Sequence, residues 1–306
     1  MQEKIIYGGW PNCTRLSNDE IELVIATDIG PRIVHVGFIN KQNFLYLSPD
    51  DRGKTGGTDW RLYGGHRLWL APETLTLSYH PDNSPVIHTV EDFAIKLSQS
   101  RENASGIVKE MDISLSPIKN LVTVVHRLIN QGTDSIEVAP WGITAMAPGG
   151  LAIIPNEPYG EGNDYLLPAR SLALWQYTKM NDPRWHWGDK YIRARQDPSF
   201  VSEQKIGLLN KQEWAAYYLN EELLIKHFEY NQQASYPDFG SNNEVYINGN
   251  FLEIESLGPL TIIPPGGTVE HTENWCLATG MLGEDDASID EIILPLVDAF
   301  KNDPGR

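Results

Sequence analysis

Two glutamates stand two residues apart in the segment FLEIESLGPL, at positions 253 and 255. Because side chains alternate along a strand, Glu253 and Glu255 should point to the same face of a sheet. Two carboxylates on one face repel each other, which raises the pKa of one of them and suits a general base or a general acid. The alternative is a solvent-facing strip of charge, since Leu252 and Ile254 alternate with the glutamates.

A second segment with side chains suited to chemistry is WRLYGGHRLWLAPE, residues 60–73. His66 could act as an acid, because an unperturbed imidazole titrates near neutral pH. Arg67 offers a planar fork of donors for hydroxyls or carboxylates. Trp69 should share a strand face with Arg67, where it could stack on a ligand or pack in the core. The Gly-Gly pair would let the backbone pass close to a ligand.

Two further candidates lie in segments that read as turns or loops, where binding residues are common. Asp238 belongs to YPDFGSN and His186 to MNDPRWHWGDKY. The competing interpretation is an Asx turn for Asp238 and surface packing for His186. Lys205 and His271 are additional candidates for the same cleft.

The elements that must position these residues are β-strands. Short stretches rich in β-branched and aromatic residues recur along the chain and are separated by polar turns, which predicts a large all-β antiparallel sandwich with few short helices. The stretches are 21–28, 32–39, 43–48, 88–98, 106–116, 121–130, 135–146, 151–155, 171–177, 213–219, 222–230, 251–258 and 273–280.

One helix is predicted, at about 288–301, within a single domain that covers residues 1–306. Ser288 and Glu291 form a capping-box pattern, and apolar residues follow at helical spacing. Pro295 should kink or shorten this helix.

Charge and motifs exclude several classes of function. The formal net charge of −17 argues against nucleic acid and anionic membrane surfaces as partners. No apolar run is long enough to cross a bilayer, and no signal peptide is evident, which predicts a cytoplasmic location. Glycine-rich phosphate loops and zinc-peptidase or lipase motifs are missing, so we expect neither a cofactor nor a metal.

Several segments spread over nearly the whole chain occur in the order found in one known superfamily. They are WRLYGGHRLWLAPE (60–73), WGITAMAPGG (141–150), YPDFGSNNEVY (236–246), LEIESLGPL (252–260) and PPGGTVEHTENW (264–275). The chain resembles the galactose mutarotase-like superfamily, the aldose 1-epimerase type of β-supersandwich. Within that superfamily it is similar to a divergent DUF4380-type branch.

This resemblance implies a hexose-binding cleft on one face of the sandwich and a small carbohydrate as the partner. In the family enzymes a glutamate on a late strand takes the proton of the C1 hydroxyl while a histidine protonates the ring oxygen. The matching strand here carries both candidates: the pair "ES" favours Glu255 as the base and the pair "LE" favours Glu253.

The family histidines are where this sequence departs from the pattern. Tyr63 stands immediately before the Gly-Gly pair, where the family has a histidine, and His66 stands immediately after it. The second family histidine should fall near Trp141, where no histidine occurs, while His126 lies one strand earlier as a packed or exposed residue. His66 is therefore the candidate acid, and Tyr63 and Trp141 join Arg67, Trp69, Asp238 and His186 as candidate substrate-binding residues.

Three functions remain open at this stage. The first is an aldose 1-epimerase-like isomerase that uses Glu255 or Glu253 with His66. The second is a non-catalytic carbohydrate-binding or sensing protein that keeps the cleft without the acid. The third is a glycosidase or lyase that uses the paired carboxylates.

Overall fold

The chain folds into two antiparallel β-sheets that stack face to face. The structure, a computed structural model, describes residues 1–157, 166–283 and 285–301. Every strand pair in these residues is antiparallel, which confirms the predicted sandwich.

The first sheet contains eleven strands and carries the candidate residues of the cleft. In order across the sheet they are β1 (Gln2–Tyr7), β2 (Trp10–Ser17), β3 (Ile21–Ala26), β4 (Arg32–Phe38), β5 (His66–Ala71), β10 (Ile136–Met146), β19 (Leu252–Leu257), β18 (Asn243–Ile247), β15 (Gln204–Leu208) and β12 (Leu172–Leu174), with β20 (Thr261–Ile263) paired to β10.

The second sheet contains ten strands and covers the inner face of the first. Its order is β13 (Trp185–Trp187), β14 (Tyr191–Arg195), β11 (Leu151–Pro155), β16 (Trp214–Leu219), β17 (Glu222–Phe228), β21 (Thr268–Thr279), β9 (Leu121–Asn130), β8 (Ile107–Leu115), β7 (Ala94–Ser98) and β6 (Ile87–Glu91).

The apolar core fills the space between the two sheets. It includes Leu68 and Ile254 from the first sheet and Val124 and Leu224 from the second, all at most 3% exposed. Each such side chain stabilises the fold by about 1.5–3 kcal/mol through the area it removes from water. Because Ile254 points inward, its neighbours on both sides must point to the outer face of the first sheet.

Some predicted elements differ from the observed ones. The stretch 88–98 is a hairpin, β6 and β7, because Asp92 and Phe93 form a turn in its middle. The stretch 43–48 forms only isolated bridges, through Leu45 and Leu47.

The predicted C-terminal helix is divided in two. Helix α2 (Asp286–Ile292) begins earlier than expected, because Asp285 caps it by accepting the backbone N–H of Ser288. The capping box predicted at Ser288 and Glu291 is therefore wrong. Helix α3 (Leu294–Lys301) follows directly and has Pro295 in its first turn, where a missing N–H is tolerated.

These two helices pack on the outer face of the second sheet, through Ile289, Ile293 and Val297. The remaining helical segment, α1 (Pro237–Gly240), is a single turn. None of the helices in the described residues is long and apolar enough to cross a membrane.

The close approach predicted at the Gly-Gly pair is made to the chain itself and not to a ligand. Gly64 and Gly65 have φ angles of 85° and 72°. An added Cβ would clash with the carbonyl oxygen of Tyr46 at Gly64 and with that of Ile33 at Gly65. The pair therefore lets β5 start tightly against two neighbouring segments.

We expect Gly65→Ala to destabilise the protein by about 3 kcal/mol, because it combines a left-handed backbone with a clash against backbone atoms. Gly149→Ala is the matched control, since Gly149 also has positive φ but no atom lies within 4 Å of an added Cβ. That change should cost about 1 kcal/mol. Urea unfolding of both variants measures the difference, and equal losses would contradict the explanation.

Candidate active site

A cavity of about 500 Å³ lies on the outer face of the first sheet. Its floor is formed where β5, β10, β19, β18 and β15 lie side by side. The strand register places Arg67 opposite Ile143, Ile143 opposite Glu255, and Glu255 opposite Glu244, so these residues form one row across the sheet. A second cavity of about 550 Å³ lies near the N-terminal edge, and its described lining contains no tryptophan, tyrosine or phenylalanine.

Aromatic rings form one wall of the first cavity. Trp69 meets Trp141 edge to face at 5.5 Å between ring centroids. Trp60 and Tyr79 pack on Trp69 at 5.7 Å and 4.9 Å, and Trp175 contributes from the segment after β12. A cavity of this size with clustered aromatic faces and a few charged groups has the character of a small-molecule site.

Glu255 lies at the centre of the floor and is held by two donors. Its Oε2 accepts the indole N–H of Trp141 at 2.7 Å and the ammonium of Lys205 at 3.0 Å. The same ammonium pairs with Glu244 at 2.8 Å. It also lies 4.5 Å from the ring centroid of Trp141 and 4.8 Å from that of Trp175. Lys205 thus joins the carboxylates to the aromatic wall.

Glu253 faces the same cavity and is paired with Arg67. The guanidinium donates to its Oε1 at 2.9 Å and lies 4.7 Å from the ring centroid of Trp69. Burial raises the pKa of Glu253, and the charge of Glu255 raises it further, against the opposing effect of Arg67. The two carboxyls on this strand therefore differ in environment, as acid and base partners do.

Carboxyl groups outnumber cations around Lys205. Glu244 is fully buried, and burial raises its pKa well above the ordinary range. Burial also raises the pKa of Asp238, and the charge of Glu255 raises it further, against the opposing effect of Lys205. Three carboxyl groups thus share one ammonium, and the charge of Glu255 adds to the effect of burial on Glu244 and Asp238.

The structure places His66, the predicted acid, on the wrong face of its strand. Arg67 and Trp69 point into the cavity, so alternation turns His66 toward the second sheet, where it is completely buried. Its Nε2 lies 2.7 Å from Nε2 of His126, and its Nδ1 lies 2.9 Å from the hydroxyl of Thr144. His66 therefore does not line the cavity.

The direction of every hydrogen bond around His66 can be assigned. His126 Nδ1 must donate, because its partner at 2.9 Å is the backbone carbonyl of His271. In the neutral ring His126 Nε2 then accepts, so His66 donates to it. His66 Nδ1 in turn accepts from Thr144, whose oxygen accepts from Lys226 at 2.6 Å.

A buried ion pair completes this inner network. Lys226 and Glu273 lie 3.1 Å apart, and both are at most 1% exposed. Glu273 also accepts from Ser256 and Trp275, and Ser256 lies 2.6 Å from Nε2 of His271. The opposite charges of Lys226 and Glu273 compensate each other, which limits the cost of burying them.

The inner network also contains metal-binding residue types. His66, His126 and Glu273 offer ligand atoms within 4.8 Å of one another. However, Lys226 already balances the charge of Glu273, and the two imidazoles hydrogen-bond to each other. A divalent cation would add two uncompensated charges to this buried space, so the residues fit a polar network better than a metal centre.

Two other predicted residues lie away from the cavity. Tyr63 is buried against Trp10 at 5.8 Å between ring centroids, and its hydroxyl accepts from Arg61 at 3.2 Å. His186 is exposed on β13, an edge strand of the second sheet. The structure brings together Arg67, Trp69, Trp141, Glu253 and Glu255, with Asp238 beside them.

Trp175, Tyr177, Glu203 and Tyr246 are among the lining residues that the sequence did not indicate, Glu244 is a buried partner behind them, and Lys205 is more central than expected. The available signal was the alternation of side chains along a strand. Lys205 precedes the buried Ile206 and Glu244 precedes the buried Val245, so both charged side chains point to the opposite face from the core. A charged residue on such a strand needs a partner. The partner itself depends on strand order, which a single sequence does not contain.

We expect the imidazoles of His66, His126 and His271 to stay neutral in the folded protein at pH 5. Burial lowers the pKa of all three, that of His271 to about 3. Unfolded histidine titrates near pH 6.5. Their contribution to the free energy of unfolding is therefore complete above about pH 6.5 and is lost as the pH falls toward the folded pKa, by up to about 1.4 kcal/mol per pH unit for each ring.

Nitrogen-15 NMR of the ring nitrogens at pH 7 and pH 5 measures these protonation states. Doubly protonated rings at His66 or His126 in the folded protein at pH 5 would contradict the assigned network.

Several solved structures share this architecture. A TPR-domain containing protein from Parabacteroides distasonis superposes with a TM-score of 0.61 at 16% identity, over 89% of this chain and 48% of that one. This chain thus spans about half the length of that protein. No protein-family model matches the chain, and no curated protein matches it, so the similarity to the DUF4380-type branch stays a prediction.

Two galactose mutarotase-like proteins are similar over almost their whole length. The one from Lactobacillus casei has a TM-score of 0.56 at 11% identity and covers 87% of this chain and 100% of its own. The one from Clostridium acetobutylicum has a TM-score of 0.56 at 11% identity and covers 91% and 98%. The chain therefore has the galactose mutarotase-like fold.

Proposed function

We propose that the protein binds a neutral sugar in the cavity on its first sheet and interconverts the two anomers by acid/base ring opening. The observation that carries this proposal is the position of Glu253 and Glu255. Both lie on the floor of an aromatic-walled cavity, and their environments differ.

The cavity offers the two kinds of contact that a pyranose requires. The tryptophan faces at Trp69 and Trp141 suit the C–H face of the ring, because both surfaces are flat and apolar. Carboxylates accept hydrogen bonds from hydroxyls, while Arg67 and Lys205 donate them. Carboxylates outnumber cations in this lining, which favours a neutral sugar over an anionic one.

Glu255 is the base in this proposal, and Glu253, in its protonated form, takes the role first considered for His66. Glu255 removes the proton of the C1 hydroxyl, a C1 carbonyl forms, and the bond between C1 and the ring oxygen breaks. Glu253 donates its proton to that oxygen. Rotation about the C1–C2 bond presents the other face of the carbonyl, and closure returns both protons.

Burial raises the pKa of Glu253 against the lowering effect of Arg67, and this direction suits a general acid, because the carboxyl then holds a proton more firmly than an ordinary glutamate does. The fold supports the substrate class, since galactose mutarotase-like proteins share it.

A second candidate function is sugar binding without catalysis. Trp141 and Lys205 both donate to the same oxygen of Glu255, so both lone pairs of that oxygen are occupied and it is not free to take a proton from a sugar hydroxyl. A site of this kind would recognise a sugar and release it unchanged.

We expect the wild-type protein to speed the decay of optical rotation of freshly dissolved α-glucose or α-galactose above the buffer rate. Glu255→Gln should lower the catalysed rate by about 100-fold or more, because it removes the base and keeps the shape. Glu270→Gln, which changes an exposed glutamate on the second sheet, should leave the rate unchanged. Polarimetry at matched protein concentrations measures all three.

Calorimetric titration of the same sugars separates the two candidate functions. Binding with decay at the buffer rate would favour the non-catalytic function and overturn the isomerase. Neither binding nor turnover across a panel of neutral hexoses and pentoses would overturn both.

A further inference from the structure

One aromatic side chain on the turn that carries Asp238 stands almost entirely in solvent. Phe239 belongs to α1, the turn between β17 and β18, and is 94% exposed. Large apolar side chains gain nothing from such a position in the isolated protein. Both faces of this ring are therefore available to a ligand or partner.

The backbone at this turn adopts a conformation that L-residues disfavour. Asp238 and Phe239 have φ angles of 50° and 61°, and Gly240 has a φ angle of 91°. Two consecutive non-glycine residues in the left-handed region mark a segment whose conformation is imposed by its surroundings. Strain of this kind concentrates at sites that bind ligands.

Hydrogen bonds fix the turn from its C-terminal end. The N–H of Ser241 donates to the carbonyl of Pro237 at 2.8 Å, and its hydroxyl donates to the carbonyl of Asp238 at 2.8 Å. Ser241 is 1% exposed, and Pro237 is buried. The ring of Phe239 is therefore carried on a fixed support.

The turn also lies against the cavity. An added Cβ at Gly207 would overlap the hydroxyl of Ser241 and lie 3.3 Å from the ring of Trp175, which lines the cavity. Asp238 interacts electrostatically with Lys205 and Glu255 on the cavity floor. Phe239 thus follows directly after a residue whose carboxyl interacts with the charged groups of the cavity floor.

We propose that Phe239 is an outer stacking surface for a second sugar unit, so that the preferred ligand is an oligosaccharide or glycoside rather than a free monosaccharide. This inference rests on the proposed sugar-binding function of the cavity. One unit occupies the cavity against Trp69 and Trp141, and the next lies on the ring of Phe239. Because the turn is fixed before binding, little conformational freedom is lost when the second unit stacks.

Calorimetric titration with two matched sugar pairs tests this proposal, using glucose with maltose and galactose with lactose. We expect one disaccharide to bind the wild-type protein more tightly than its monosaccharide. Phe239→Ala should weaken the affinity for the disaccharide about tenfold and leave the affinity for the monosaccharide unchanged. Phe239→Tyr should keep the preference, because it keeps the aromatic face.

Ile118→Ala is the control, since Ile118 is 85% exposed on the loop between β8 and β9. It should change neither affinity. Thermal melting should show all variants folded, because Phe239 makes no buried contact.

Four results would overturn the inference. If the wild-type protein binds monosaccharides with no preference for disaccharides, there is no second subsite. The same holds if Phe239→Ala lowers the affinity for both sugars equally. Both results leave the proposed function intact. A change of oligomeric state in Phe239→Ala with unchanged sugar affinities would assign the ring to a protein contact. No binding of any sugar by the wild-type protein would overturn the proposed function together with the inference.

Discussion

The alternation of side chains along three central strands separates two groups of polar residues, one in the outer cavity and one between the two sheets. On β5, β10 and β19, every second residue faces the outer cavity and the others face the second sheet. Arg67, Trp141 and Glu255 therefore lie outside, while His66, Thr144 and Ser256 lie inside. A shift of one residue in any of these strands would exchange the two sets, and this makes the register a condition for both.

Each side balances its own buried charge in a different way. The inner network is neutral, with one ammonium for one carboxylate and neutral imidazoles around them. The outer site has more carboxyls than cations, and burial raises the pKa of Glu244 and of Glu253 there, which favours a ligand that supplies hydrogen-bond donors. The inner network, whose charges are balanced and hydrogen-bonded, stiffens the first sheet. The outer cavity, which has an excess of carboxyl groups, is suited to a polyhydroxylated ligand.

The sandwich could be predicted from the many short stretches of β-branched and aromatic residues between polar turns. The shared face of Glu253 and Glu255, and that of Arg67 and Trp69, could be predicted from the two-residue alternation of a strand. The same alternation places His66 on the opposite face from Arg67. The candidate acid was instead chosen because a histidine beside the Gly-Gly pair resembles the family pattern. Parity along a strand was the more reliable guide here.

Other features depend on contacts that no local pattern contains. Lys205 and Glu255 are fifty residues apart in the chain and meet only because β18 lies between β15 and β19. The N-terminal hairpin of β1 and β2 was missed because its outer strand is mostly exposed and carries charged residues. The left-handed turn at Asp238 and Phe239 was expected as a turn, but its hand is set by Ser241 and by packing.

The central claim is that the cavity on the first sheet is a sugar site with Glu255 at its reacting end. A crystal structure of the protein soaked with a mixture of neutral mono- and disaccharides tests it most directly. We expect a pyranose ring against Trp69 and Trp141, with its C1 hydroxyl within hydrogen-bond distance of Glu255. A sugar bound elsewhere with this cavity empty, or a sugar in the cavity whose C1 points away from Glu255 and Glu253, would contradict it.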